Sequence, residues 1–242
     1  MPTKIQKEPI SVSSFDVGAS GCLEASALMR HFQEVASHHA DELGVGFNDF
    51  KQENIFWALS HIQIEADRWP QMEERITIET WPRGTEKLYT TRDFLVSDTN
   101  NKVIIRATSA WIMVDIKRKR PIRPADKLAN IEFTPEKKAL GNFPEPFYCE
   151  GEQQTQLERK VVYSDLDINQ HVNNTRYVEW MMDAIGFSPD RKLKSLKIHF
   201  INEFRFNETA QINNTHNSNR YFCSILHAEN KKPGCEACLT FM

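Results

Sequence analysis

A chain of 242 residues with 40% hydrophobic content holds enough core material for one large domain or two of ordinary size. Its 26% charged residues balance to a formal net charge of -3, which excludes a globally basic nucleic-acid binder and obliges any acidic partner to meet a local patch. No apolar run reaches membrane-spanning length and Met1 to Ser13 lacks the hydrophobic centre of a secretion signal, so a cytoplasmic chain without a membrane span is expected.

The five cysteines, Cys22, Cys149, Cys223, Cys235 and Cys238, are scattered and odd in number, which favours reduced thiols over a disulfide framework. Cys235-x-x-Cys238 supplies at most half of a tetrahedral zinc shell and has no second pair near it, so neither a metal nor another cofactor is expected.

In chain order, residues 8–17 read as a strand ending in the turn formers Asp16-Val17-Gly18-Ala19-Ser20-Gly21. From Glu24 onward Leu28, Phe32, Val35, Ala36 and His39 recur at helical spacing until Gly44 and Gly46 stop the run. His31, His38 and His39 lie on this helix as surface or packing residues. Strand-like segments follow over 55–66, 75–81, 89–98 and 102–115, the last two joined by Ser97-Asp98-Thr99-Asn100-Asn101 as a hairpin. Prolines 121, 124, 135, 144 and 146 then punctuate 117–152, where little periodic pattern survives. The second half repeats the order, with a strand over 157–164, a helix over 174–185, and strands over 193–206, 209–214, 220–229 and 235–241. The order is that of an α+β protein.

The halves superimpose in sequence. A shift of 149 positions lays Asp16 on Asp165, Gly18 on Asp167, Ser20 on Asn169 and Cys22 on His171, and carries Leu28, Met29 and Phe32 to Tyr177, Val178 and Met181. A shift of 134 lays Glu74, Ile76 and Ile78 on Glu208, Ala210 and Ile212, with Trp69 opposite Glu203. Internal duplication is the simplest account, and only the second copy keeps chemically useful side chains. Asp167, Asn169 and His171 alternate with Ile168 and Gln170, so an extended backbone sends all three from one face. Asn173 or Asn174 then caps a helix whose first N–H groups face the trio and can hold a developing oxyanion.

Asp165-Leu166-Asp167-Ile168-Asn169-Gln170-His171-Val172-Asn173-Asn174, followed by an aromatic helix, resembles the acyl-acyl carrier protein (ACP) thioesterases, the plant-type enzymes and their bacterial relatives. Thr80-Trp81-Pro82, Arg92-Asp93-Phe94 and Ser109-Ala110-Trp111-Ile112-Met113 are similar to that family's first-half signatures. The resemblance implies a double hot-dog fold, two long helices each wrapped by an antiparallel sheet, paired sheet to sheet as a pseudo-dimer. Its parts are residues 1–126 as an acyl-chain-binding repeat, 127–152 as linker and 153–242 as the catalytic repeat.

The implied activity is hydrolysis of fatty acyl-ACP to free fatty acid, ending chain elongation. Acyl-coenzyme A hydrolysis is the nearest alternative, and a non-catalytic acyl-chain binding protein is a further one. His171 is the first candidate for general base or proton shuttle, Asn169 orients the water or the carbonyl, and Asp167 fixes the histidine or acts as a nucleophile. Glu203 corresponds to the family's fourth network member on the strand after the helix. The next residue is Phe204 where the family often has a cysteine, which argues against a cysteine nucleophile there. Asn173 and Asn174 are expected beside the substrate, and Phe32, Trp57, Ile62, Ile64 and Trp111 are candidates for the acyl tunnel, although such residues are core by default. Lys117, Arg118, Lys119, Arg120 and Arg123 form the densest basic run and are candidates for docking the acidic carrier protein, with a solvated linker as the bland reading. Homodimerisation stays open.

Overall fold

The computed structural model describes residues 4–125, 127–141, 153–188 and 191–242. The chain divides into two compact units, Met1–Pro144 and Glu145–Met242.

The first unit contains β1 (Gln6–Ser11), α1 (Ala25–Glu42), α2 (Phe47–Lys51), β2 (Ile55–Ala66), β3 (Arg75–Glu86), β4 (Tyr89–Ser97), β5 (Val103–Asp115) and the short β6 (Arg120–Ile122). Its sheet is antiparallel in the order β1-β3-β4-β5-β2, with β6 extending β5. Helix α1 forms because Leu28, Phe32, Val35, Ala36 and His39 make one apolar stripe, and all five are buried. It ends where Gly44 turns to φ +71°, a conformation that favours glycine. Phe32 stacks on Phe94 of β4 with ring centroids 4.4 Å apart, which fixes the helix on the sheet.

The opposite face of this sheet is covered too. Residues 127–141, read from sequence as the start of a linker, form a strap whose later part, around 137–140, lies over it, while Leu128 packs on the face that carries α1. Trp81, fully buried, donates its indole N–H to the Lys137 carbonyl (2.9 Å) while the Lys137 ammonium lies 4.3 Å above its ring. Its cross-strand partner Asp93 accepts hydrogen bonds from the Thr108 hydroxyl (2.6 Å), the Ala139 N–H (3.0 Å) and Arg83 (3.4 Å), and Arg83 also donates to the Leu140 carbonyl. Leu128 enters a core cluster with Val45, Phe50, Ile55 and Met113. The strap is irregular and so leaves no period in the sequence, yet an exposed Trp81 and a bare Asp93 make it necessary.

The second unit contains β7 (Gln154–Lys160), a single 3₁₀ turn (Tyr163–Asp165), α3 (Asn174–Ile185), β8 (Leu193–Phe200), β9 (Thr209–Asn217), β10 (Arg220–His227) and β11 (Pro233–Phe241). Its antiparallel order, β8-β11-β10-β9-β7, repeats that of the first unit strand for strand when β2, β5, β4, β3 and β1 are read in turn. Each unit is a five-stranded antiparallel sheet around one long helix, a hot-dog, and the chain is a double hot-dog. No described helix is long and apolar enough to cross a membrane. Several strands stop earlier than expected: β1 at Ser11 rather than 17, β7 at Lys160 rather than 164, β8 at Phe200 rather than 206 and β10 at His227 rather than 229. After β1, β7 and β8 the chain leaves the ladder to build loops.

Burial raises the Asp93 carboxyl above the ordinary carboxylate range, with the bonds from Thr108, Ala139 and Arg83 opposing that rise. A carboxyl with a raised value holds its proton more tightly folded than unfolded, so its contribution to stability falls as pH climbs from the ordinary carboxylate range through the raised value. Urea unfolding across that range should show this decline in the wild type and not in D93N; parallel profiles would refute it. D93A strands three buried donors and should cost about 3 kcal/mol of stability.

Candidate functional site

The motif loop is built on Asp165, whose side chain is buried. Its carboxylate accepts from the Val162 N–H (2.9 Å) and lies 3.9 Å from the Arg176 guanidinium, which donates to the Ser164 carbonyl (2.8 Å) and pairs with Glu179 (2.6 Å). This anchor joins the loop to the first turn of α3. Sequence reasoning missed it, and the available signal was an aspartate kept at the same place in both copies.

Beyond Asp165 the chain turns back on itself. Leu166 pairs with Val172, and between them the Asp167 N–H donates to the His171 carbonyl (2.8 Å) and Gln170 takes φ +63°. The extended backbone expected over 167–171 is therefore corrected to a tight turn. The cause is local: the Asp167 carboxylate accepts from the backbone N–H groups of Asn169 (2.8 Å) and His171 (3.2 Å), offering the chain an alternative to a strand. Asp167 faces its own turn, Asn169 stands exposed at the tip and His171 is half-buried.

The loop after β8 runs beside this turn. The Val172 N–H donates to the Phe204 carbonyl (2.9 Å) and His171 bridges to Arg205, which brings His171 Nε2 within 3.1 Å of Glu203 Oε2. Glu203 thus lies on a loop, not on the expected strand. The His171 side chain is 21% exposed and that of Glu203 49%. Behind them Phe204 is fully buried, stacked 3.8 Å from the His227 ring and flanked by Tyr177 and Trp180. Burial pushes the Tyr177 phenol well above its ordinary range. Alternation at the loop places buried Phe204 and outward Glu203 side by side, so the packing of one aims the other.

Asn173 is the N-cap of α3, its side chain accepting from the Thr175 N–H (3.0 Å) and hydroxyl (2.9 Å), while the Arg176 N–H is taken by the Asn173 carbonyl (2.9 Å). The expectation of several free helix N–H groups is corrected: the cap consumes those of Thr175 and Arg176. Asn174 opens the helix, half-buried.

The first unit keeps this scaffold without the His171–Glu203 pair. Val17 pairs with Leu23 as Leu166 does with Val172, Asp16 accepts from the Ser13 N–H (2.9 Å) as Asp165 does from Val162, and the Leu23 N–H reaches the Pro70 carbonyl (2.8 Å) as Val172 reaches Phe204. Gly21 at φ +69° matches Gln170. Both sequence shifts therefore hold at the level of single hydrogen bonds. At Gly18, in the place of Asp167, a Cβ would come within 2.0 Å of the Glu24 carboxylate, so a side chain there would require Glu24 to move aside. Cys22 and Trp69 stand where His171 and Glu203 do.

Of the tunnel candidates, Phe32, Ile62 and Ile64 are buried and Trp57 and Trp111 half-buried. Register sets Ile62 opposite Ser109, Ile64 opposite Ala107 and Trp57 opposite Met113, so all lie on the sheet face that carries α1. Trp57 donates its indole N–H to the Val45 carbonyl (2.9 Å). The basic run is not a linker: Lys117, Arg118 and Lys119 form the exposed turn from β5 into β6, which Arg120 opens, and Arg123 is exposed just after it. Arg118 approaches Asp115 at 3.8 Å; among the described residues Lys117, Lys119, Arg120 and Arg123 form no ion pair. Cys149 and residues 142–152 of the expected linker lie outside the described residues. Among the described residues no group of three or more His, Cys, Asp or Glu side chains is arranged to hold a metal ion.

Sequence profiles of the acyl-ACP thioesterase N-terminal and C-terminal domains match residues 3–131 and 148–240. The chain belongs to the acyl-ACP thioesterase family. This family member is 27% identical over 219 residues to the chloroplastic palmitoyl-acyl carrier protein thioesterase of Arabidopsis thaliana, with 81% of the chain and 52% of that relative covered. It is 29% identical over 197 residues to oleoyl-acyl carrier protein thioesterase 2, chloroplastic, of the same plant, with 74% and 53% covered. The chain spans about half the length of the curated relatives it matches. Among solved structures it resembles an acyl-ACP thioesterase from Bacteroides thetaiotaomicron, with TM-score 0.83 at 24% identity over 99% of this chain and 98% of that one. It also resembles the 12:0-ACP thioesterase from Umbellularia californica, with TM-score 0.87 at 18% identity over 100% and 98%. The fold is common to all three.

The packing of Phe204 against Gly234 is open to test. A Cβ at Gly234 would come within 2.2 Å of the Phe204 ring, which the stacked His227 holds in place. G234A should lose about 1–3 kcal/mol of stability in chemical denaturation, and F204L should recover part of it in the double variant. Additive losses in the two changes would show that Gly234 and Phe204 are not coupled.

Proposed function

We propose that the chain hydrolyses the thioester of a fatty acyl group carried on ACP, releasing free fatty acid and ending elongation. The observation that carries this reading is the pair formed by His171 Nε2 and Glu203 Oε2 at 3.1 Å, present in one copy of a duplicated scaffold and replaced by Cys22 and Trp69 in the other. Family membership supplies the class of substrate.

In this reading neutral His171 donates its Nε2–H to the Glu203 carboxylate, which fixes the tautomer and leaves Nδ1 as the proton acceptor. Water attacks the thioester carbonyl carbon, its proton passing to Nδ1. Collapse of the tetrahedral adduct breaks the carbon–sulfur bond, and His171 returns the proton to the sulfur. A thiol with a pKa near ~8.5 leaves more readily than an alcohol, so little acid assistance is required. Asn169, exposed at the tip of the turn, offers its amide to the carbonyl. Asp167 has its Oδ1 committed to the N–H groups of Asn169 and His171, so its part is to shape the turn that presents both. The first unit, relieved of these groups, takes the acyl chain on the face of its sheet beneath α1, and the β5–β6 turn meets the acidic carrier protein.

H171A should lower kcat by at least ~100-fold on acyl-ACP, the scale of a lost general base, with the fold intact by circular dichroism. D167N keeps an acceptor oxygen for the turn and should stay within about tenfold of wild type. Complete loss in D167N would replace direct water attack with a route through an acyl-carboxylate on Asp167. Full activity in H171A would remove His171 as the general base, and no hydrolysis by the wild type would leave a non-catalytic acyl-chain binder. Rates on matched acyl-ACP and acyl-coenzyme A decide between the two donors.

Charge reversal at Lys117, Lys119 and Arg123 should raise KM for acyl-ACP and flatten its dependence on salt, while rates on small acyl thioesters stay unchanged. An unaltered salt dependence would remove this turn from the docking surface.

A further inference from the structure

The loop that carries Glu203 closes on a turn that both units share. In the second unit the Arg205 N–H is accepted by Glu208 Oε2 (2.8 Å), the Glu208 N–H by the Arg205 carbonyl (3.2 Å), and Asn207 takes φ +69°. The Val161 N–H donates to the Glu208 carbonyl (2.8 Å) and ties the turn to the chain after β7. Under the shift of 134 the first unit repeats this bond for bond: the Gln71 N–H meets Glu74 Oε2 (3.1 Å), the Glu74 N–H meets the Gln71 carbonyl (3.1 Å), Glu73 takes φ +67°, and the Val12 N–H meets the Glu74 carbonyl (3.0 Å). The turn therefore forms from its backbone and its glutamate, whatever the carboxylate meets next.

What the carboxylate meets differs between the copies. In the first unit Arg68 grips Glu74 through two nitrogens (2.9 and 2.6 Å) and reaches Asp98 (3.3 Å). In the second, Asn202 stands in the place of Arg68 and donates its amide to the Pro233 carbonyl (2.6 Å). The Thr77–Ser97 pair corresponds to Gln211–Leu226, so His227 stands in the place of Asp98. Its Nδ1 lies 3.5 Å from Glu208 Oε2, and its ring stacks on Phe204 with centroids 3.8 Å apart and planes 12° from parallel. One imidazole thus touches both ends of the segment 204–208, which an aspartate held by an arginine does not do. Phe204 adjoins Glu203, and on its other side the Asn202 N–H donates to the Gly234 carbonyl (3.2 Å). The Glu203 side chain is itself 49% exposed, so its neighbours rather than its own packing hold it beside His171.

We propose that His227 is a positioning residue for Glu203: by stacking on Phe204 and meeting Glu208 it fixes the loop so that the Glu203 carboxylate stays within reach of His171. The inference rests on the reading of His171 and Glu203 as the reacting pair. The first copy has Trp69 in the place of Glu203 and no carboxylate to aim, and an arginine suffices to hold its turn. An imidazole combines a flat face for the Phe204 ring with an N–H for the Glu208 carboxylate.

The test measures kcat and KM on acyl-ACP for H227A, H227F, E203A and H227A combined with E203A. H227A should lower kcat about tenfold and leave KM within about twofold, the signature of a misplaced group in a site that still binds. H227F keeps a ring against Phe204 without the contact to Glu208; its kcat should fall between those of H227A and the wild type, and it replaces H227A throughout if H227A does not fold. Once Glu203 is removed, the change at His227 should cost no further kcat, the coupling expected of a residue that acts through Glu203. An equal loss with and without Glu203, or wild-type kcat in the variant used, overturns the proposal. Crystal structures of the wild type and the same variant read the separation of His171 Nε2 and Glu203 Oε2 directly: it should open from hydrogen-bonding distance to beyond about 4 Å in the variant, and an unchanged separation also overturns the proposal. Failure of the wild type to hydrolyse acyl-ACP would overturn the thioesterase reading instead, and the separation would still judge the role of His227.

Discussion

A single backbone hydrogen bond, from the Val172 N–H to the Phe204 carbonyl at 2.9 Å, sets the geometry on which the candidate site depends. It joins two loops about thirty residues apart. Each of these lies outside the sheet, and each places one reactive side chain next to the bonded residue, His171 on one side and Glu203 on the other. Because the partners are main-chain atoms, their spacing is insensitive to the side chains the loops carry. The loops are in turn tied down by the buried Asp165–Arg176 anchor and by the Phe204–His227 stack. The imidazole–carboxylate pair is thereby preorganised by groups that take no part in chemistry.

The same bond occurs in the first unit between Leu23 and Pro70, which makes the duplication physically informative. A scaffold that tolerates Cys22 and Trp69 in place of His171 and Glu203 does not need those residues to fold. Their presence in the second unit therefore calls for another reason, which the proposed proton handling supplies. Gly18 shows the divergence from the other side: the Glu24 carboxylate occupies the space that a side chain at the position of Asp167 would take.

Arg92 and Asp93 are neighbours on one strand and carry opposite charges, yet they serve different layers. The pleat sends Asp93 outward to hold the strap over 127–141 and Arg92 inward beneath α1. Asp93 is fully engaged by its own donors, so it does nothing for Arg92. The alternation that makes a sheet two-sided thus gives each charge its own partners, Asp93 the strap and Arg92 the side chains of His39 and Thr80.

Much of this could be read in advance. The helical stripe from Leu28 to His39, the period-two runs of the strands, the two sequence shifts and the chemical asymmetry at His171 are written in residue order, because each depends on spacing along one chain segment. The tight turn at Asp167 was not, since an Asp-x-Asn-x-His run alternates as a strand does and only the carboxylate's bonds to the N–H groups of Asn169 and His171 choose between them. Nor was the strap, whose anchors are carbonyls and N–H groups common to every residue. The sequence by itself determined the repeat, its elements and which copy carries His171 and Glu203. Only the tertiary structure decided that Glu203 meets His171, that Asp167 turns toward its own backbone and that Arg92 reaches His39, because these outcomes rest on hydrogen bonds and burial that residue order does not express.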